Sequence, residues 1–97
     1  MDRSDVPPFR QIVAENTAFI RSTLQRLGVH ASELDDVTQA VLCGVARGLD
    51  AFDPALSADP PNALRGWLVG ICERQAASAR RRAARLGVEL LRPLTNP

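Results

Sequence analysis

Apolar residues return every three or four positions in three separate stretches of this chain, and that rhythm belongs to helices with one buried face. The first stretch runs from Pro8 to Leu27 and carries Phe9, Ile12, Val13, Phe19, Ile20, Leu24 and Leu27 on one side. Proline suits a first helical turn and Gly28 suits the position just past the last. The second runs from Glu33 to Phe52, with Leu34, Val37, Val41, Val45, Gly48 or Leu49, and Phe52 as its buried stripe. Ser32 is a favourable N-cap, Glu33, Asp35 and Asp36 load the first turn with negative charge, and Asp53-Pro54 ends the helix. After a loop holding Pro54, Pro60 and Pro61, a third helix starts at the cap Asn62 and ends at Leu86 before Gly87. Its inner face is Leu64, Leu68, Ile71, Gln75, Ala79 and Leu86. No strand alternation, repeat or low-complexity block is visible. The expected fold is all-α, a compact three-helix bundle over residues 8–86, with an N-terminal extension (1–7) and a tail or start of a linker (87–97).

Ninety-seven residues make one small domain, with room for a modest core but no deep catalytic cleft. The net charge of +1 hides a strong asymmetry. From Arg65 to Arg92 seven arginines face two glutamates, giving +5, whereas the remainder sets five arginines against nine acids, giving −4. A basic segment confined to one helix points to a polyanionic partner that the total charge conceals.

Two lines of residues remain once the core faces are assigned. On the second helix Asp36, Gln39, Cys43, Ala46, Arg47 and Asp50 point outward, with Leu42 at their edge. This mixed stripe suits docking against another helix, or is an ordinary solvated face. On the third helix Trp67, Arg74, Ser78, Arg81 and Arg85 share a second line beside the buried one, and Arg80, Arg82 and Arg92 crowd the same end. An aromatic followed by guanidinium groups would stack a base and grip successive phosphates. The tryptophan serves equally as core, and arginines near a helix C-terminus gain from the helix dipole without any ligand. Gly66 and Gly70, with Ala77 and Ala84, form a smooth strip that another backbone would approach closely, or mark side chains lost to no purpose.

Other chemistry lacks its residues. One histidine and two distant cysteines, Cys43 and Cys72, do not supply the clustered ligands of a zinc site, so no metal or other cofactor is expected. No nucleophile–base pair is visible, and the domain is not expected to be an enzyme. No apolar run resembles a signal peptide or spans a bilayer, which leaves the cytoplasm as the default compartment and argues against membrane insertion.

In order along the chain, Leu34-Asp-Asp-Val-Thr-Gln-Ala-Val-Leu, Phe52-Asp-Pro, Leu64-Arg-Gly-Trp-Leu-Val-Gly-Ile-Cys and Arg80-Arg-Arg resemble region 2 of the bacterial sigma-70 family of sigma factors, most nearly the extracytoplasmic-function group. The resemblance covers Phe9 to Arg85. It implies a transcription initiation module whose second helix binds the clamp helices of core RNA polymerase, through Asp36, Gln39, Leu42, Cys43 and Arg47. It implies that the third helix recognises and helps melt the minus-ten promoter element on the non-template strand, through Trp67, Arg74, Ser78, Arg80, Arg81, Arg82 and Arg85. Trp67 would sit at the upstream edge of the bubble or support that edge from the core, and the loop from Asp53 to Asn62 would hold an extruded base. Four positions depart from the family's usual residues: Ala40, Leu42, Arg74 and Ser78. The first two bear on clamp affinity; those at Arg74 and Ser78 bear on which promoter is read and motivate an alternative, a sigma-like target or decoy for an anti-sigma factor that no longer reads promoters. A third reading, a reader of duplex DNA, would favour double-stranded over single-stranded probes. A second DNA-binding domain is usual in the group. Its absence here implies either a fragment of a longer protein or a domain acting without it.

Overall fold

The computed structural model describes residues 6–91, with side chains described for residues 6–87. Most of the expected N-terminal extension, residues 1–5, and the tail from residue 92 with its Arg92 lie outside the described residues. Three α-helices carry the fold: α1 (Phe9–Arg26), α2 (Leu34–Gly48) and α3 (Ala63–Leu91). Short 3-10 turns lead into α2 (Ala31–Glu33), extend it (Leu49–Ala51), and occupy the connection to α3 (Pro54–Leu56, Pro60–Asn62).

Local chemistry sets the bounds of the helices. Pro8, in extended geometry, is the N-cap of α1, and its carbonyl accepts from the amides of Gln11 and Ile12. At the other end Gly28 adopts φ +91°, the left-handed turn that favours glycine. Val29 N–H then donates to the Leu24 carbonyl and Gly28 N–H to that of Gln25, a Schellman closure in which Val29 and Leu24 are both buried. The cap before α2 differs from expectation. His30, not Ser32, supplies the acceptor: its Nδ1 takes the Ser32 amide at 3.1 Å and opens a 3-10 turn ahead of the helix.

The core joins Ile12, Ile20 and Leu24 of α1 to Val37, Val41 and Val45 of α2 and Leu68, Ile71, Cys72 and Ala76 of α3. Polar side chains inside it are satisfied within their own helix. Asn16 donates to the Ile12 carbonyl, Thr23 to that of Phe19 and Thr38 to that of Leu34. Among the described residues no buried side-chain nitrogen or oxygen lacks a partner.

Three further expectations need correction. Leu42, placed at the edge of the outward face, is buried at 8% exposure. The cause is that α2 packs against both α1 and α3, so it buries a broad face that takes in Thr38 and Leu42 as well. The third helix does not stop before Gly87 but continues to Leu91, since one glycine costs only about 1 kcal/mol in a helix. Leu86, assigned to the inner face, is 61% exposed. At 1.5 Å per residue α3 is about 43 Å long, against about 27 Å for α1 and about 22 Å for α2. It outruns both partners, and residues 80–86 are all exposed.

Candidate functional site

The part of α3 that leaves the bundle is also the most basic part of the chain, with Arg80, Arg81, Arg82 and Arg85 within six residues. Arg74, Arg81 and Arg85 are exposed. Among the described residues they make no hydrogen bond or ion pair; the ion pair present there is Arg21 with Asp35, across α1 and α2. Three guanidinium groups on one flank are thus left to solvent. Ser78 lies between them, half-buried, with its hydroxyl accepting from Arg82 at 3.2 Å.

Arg80 sits elsewhere. Successive residues turn by about 100°, so Arg80 lies about 140° around the helix from Trp67. Its guanidinium donates to the Leu27 carbonyl at 2.7 Å, across 53 residues of sequence. A helix C-terminus leaves carbonyls without intrahelical partners and carries partial negative charge, which makes Arg80 a cap for α1.

Trp67 is half-buried against the core cluster. Its indole stacks on Phe52, with ring centroids 4.6 Å apart and planes 16° apart. Gly48, the last residue of α2, makes room for it: a Cβ there would lie 3.0 Å from Trp67 Cζ2. Gly44 likewise admits Ile71, at 3.2 Å. The close backbone approach that is one reading of Gly66 and Gly70 is not found there; the closely approached glycines are Gly44 and Gly48 of α2, which admit side chains of α3. A Cβ at Gly66 would meet nothing within 4 Å, and one at Gly70 only the Arg74 guanidinium.

An open pocket of about 520 Å³ lies where the α2–α3 connection meets the start of α3. Phe19 of α1, Asp59 and Asn62 of the connection, and Arg65, Gly66 and Trp67 of α3 line it. The connection is braced: the Asp53 carboxylate accepts the Ala55 amide, the Ser57 hydroxyl accepts the Asp59 amide, and Asn62 donates to the Asp59 carboxylate at 2.9 Å. The Arg65 guanidinium lies over the Phe19 ring, 4.3 Å from its centroid. Neither Phe19 nor Arg65 stands out in the sequence as a site residue, because the contact joins two helices 46 positions apart.

The outward line on α2 is largely as expected. Asp36, Gln39, Cys43, Ala46, Arg47 and Asp50 are exposed together, while Leu42 lies beneath them. The two thiols differ. Cys43 is exposed, whereas burial, reinforced by neighbouring Glu73, pushes the Cys72 thiol up to about 11. Among the described residues no three histidine, cysteine, aspartate or glutamate side chains gather as a metal site would require. No helix there is long and apolar enough to cross a membrane. The two surfaces are thus an acidic-to-mixed face on α2 and an arginine flank with an adjoining pocket on α3.

Compared with known protein families, residues 12–86 match the model of sigma-70 region 2. No match is found among curated proteins or among solved structures.

Proposed function

This chain belongs to the sigma-70 region 2 family, and we propose that it works as a promoter-opening module of the extracytoplasmic-function group, in the cytoplasm. Family membership supports a sigma-factor-like role in RNA polymerase binding and promoter recognition. Such a domain catalyses nothing itself; it supplies binding energy, and polymerase performs the chemistry. In our reading the exposed face of α2, through Asp36, Gln39, Cys43 and Arg47, docks on the clamp helices of the core enzyme. Leu42 shapes that face from below.

The α3 flank then receives the non-template strand of the minus-ten element. The observation that carries this reading is the exposed line Arg74, Arg81 and Arg85, free of internal partners among the described residues. Exposed guanidinium groups without internal partners among the described residues are ready to neutralise phosphates, releasing counterions. Arg82 adds charge to the same end and steadies Ser78. Trp67, held by Phe52 and Gly48, supports the upstream edge of the bubble from within rather than lying free on the strand. Extruding a base from the stack costs a few kcal/mol. The pocket beside the braced connection offers a place for that base to recover the cost.

The deciding experiment assembles the chain with core polymerase and compares single-stranded with duplex minus-ten probes by fluorescence anisotropy. Tighter binding to the single strand at low salt is expected. Polymerase binding without any DNA binding would favour the anti-sigma decoy instead, and a preference for duplex would favour a helical duplex reader.

A further inference from the structure

We propose that Arg80 is a positioning residue for strand opening: by clasping the end of α1, it fixes the arginine flank of α3 relative to the polymerase-facing helix α2. The inference rests on the reading of this domain as a promoter-opening module. It gives a part in that work to a side chain that faces away from the strand.

Arg80 stands where α3 leaves the bundle. Ala79, one residue earlier, is buried, whereas residues 80–86 are all exposed. Among the described residues, no side chain of residues 81–86 makes a hydrogen bond or ion pair to α1 or α2; the bond from Arg82 to Ser78 stays within α3. The bond from Arg80 to the Leu27 carbonyl is therefore the last polar tie between α3 and the other helices before α3 projects. Without it the outgoing turns are held by the continuity of the helix alone.

Local geometry selects the receiving atom. The turn at Gly28 occupies the carbonyls of Thr23, Leu24 and Gln25 with the amides of Leu27, Val29 and Gly28. The Leu27 carbonyl lies at the negative end of the α1 dipole, where a cation bonds well. A short turn later α2 begins, so the clasp grips the joint between α1 and α2. Arg80 donates there through Nη1, as a tether and not as the two-pronged fork that suits a phosphate.

Such a tether matters differently for the two forms of DNA. A single strand is flexible and follows a flank that swings, so its phosphates still meet Arg74, Arg81 and Arg85. Duplex DNA is stiff, with a persistence length of about 150 base pairs. Opening it requires the polymerase-bound and strand-bound surfaces to keep a fixed relation, and losing that preorganisation weakens the opening step.

The test uses the chain assembled with core polymerase, a labelled single strand read by anisotropy, and a minus-ten duplex carrying 2-aminopurine read by emission. Arg80→Ala should bind the single strand within about twofold of the natural chain, with the same salt slope, while duplex opening falls about fivefold. Arg80→Lys keeps a donor and the charge, and should recover most of the opening. Ile12→Val, a buried change near the start of α1, is the stability control and should open the duplex normally despite a lower melting temperature. The inference fails if Arg80→Ala opens the duplex as well as the natural chain or Ile12→Val does, or if Arg80→Lys does no better than Arg80→Ala. It fails too if Arg80→Ala lowers the salt slope by about 0.7, since this side chain would then meet a phosphate. A natural chain that binds the single strand but leaves the duplex closed overturns the promoter-opening reading itself.

Discussion

Replacing Arg74, Arg81 and Arg85 together with alanine removes the partner-free charges from one flank of α3 and leaves its core untouched. All three are exposed and make no hydrogen bond or ion pair among the described residues, and alanine is a better helix former than arginine. The helix should remain, so the change reports on binding. Each phosphate neutralised on a single strand contributes about 0.7 to the slope of log affinity against log salt, so the triple variant should lose about 2 units. Between 50 and 200 mM salt those three contacts amount to a factor of about 18. The natural chain, bound to core polymerase, should therefore lose about 18-fold more affinity for a labelled single strand over that range than the variant. Arg80→Ala is the internal control. Its guanidinium caps the Leu27 carbonyl, so it should weaken the bundle and leave the slope nearly unchanged. Equal slopes for the natural chain and the triple variant, or a fall of about 0.7 for Arg80→Ala alone, would refute the assignment.

The buried and exposed thiols should react very differently. Cys43 should be labelled rapidly by a thiol-specific disulfide reagent, and Cys72 only when the bundle unfolds. Because the folded Cys72 thiol sits at about 11 against an ordinary 9.0, its contribution to stability is full below 9.0. That contribution should decline as pH rises from there through about 11, a loss absent in Cys72→Ala. Rapid labelling of Cys72 in the folded chain would contradict its burial. Gly48→Ala would set a methyl group 3.0 Å from Trp67 Cζ2. Overpacking of about 1–3 kcal/mol, partly offset by about 1 kcal/mol of helix propensity, should give a neutral to moderately destabilised chain with altered tryptophan emission. A clear gain in stability with unchanged emission would show that the contact is loose.

The three helices were legible because their apolar residues keep a helical rhythm that burial rewards directly. Ile12, Ile20, Leu24, Val37, Val41, Val45, Leu68 and Ile71 all lie where that rhythm puts them. What the pattern misses depends on partners. Leu42 is buried because α2 has a helix on either side, and Leu86 is exposed because α3 is longer than both neighbours; neither fact is local to its own helix. Arg80 illustrates a signal that was present and outweighed. Its helical phase already sets it apart from Trp67, but its crowding with Arg81 and Arg82 suggested one shared role. The glycines show the same limit from another side. Gly44 and Gly48 admit side chains from α3, a pairing that only the packed bundle defines, while the conspicuous Gly66 and Gly70 admit no backbone at all. Phe19 reads as an ordinary member of the apolar face of α1, and only the fold brings it beneath Arg65.

The central claim is that this domain holds an opened strand, and unstacking of a promoter base reports on it most directly. A duplex minus-ten element carrying 2-aminopurine at successive positions should be mixed with core polymerase and this chain. Emission should rise at one or more positions as bases leave the stack, and the rise should weaken when Arg74, Arg81 and Arg85 are replaced together. A duplex that is bound, as anisotropy would record, yet stays dark at every position would contradict the account.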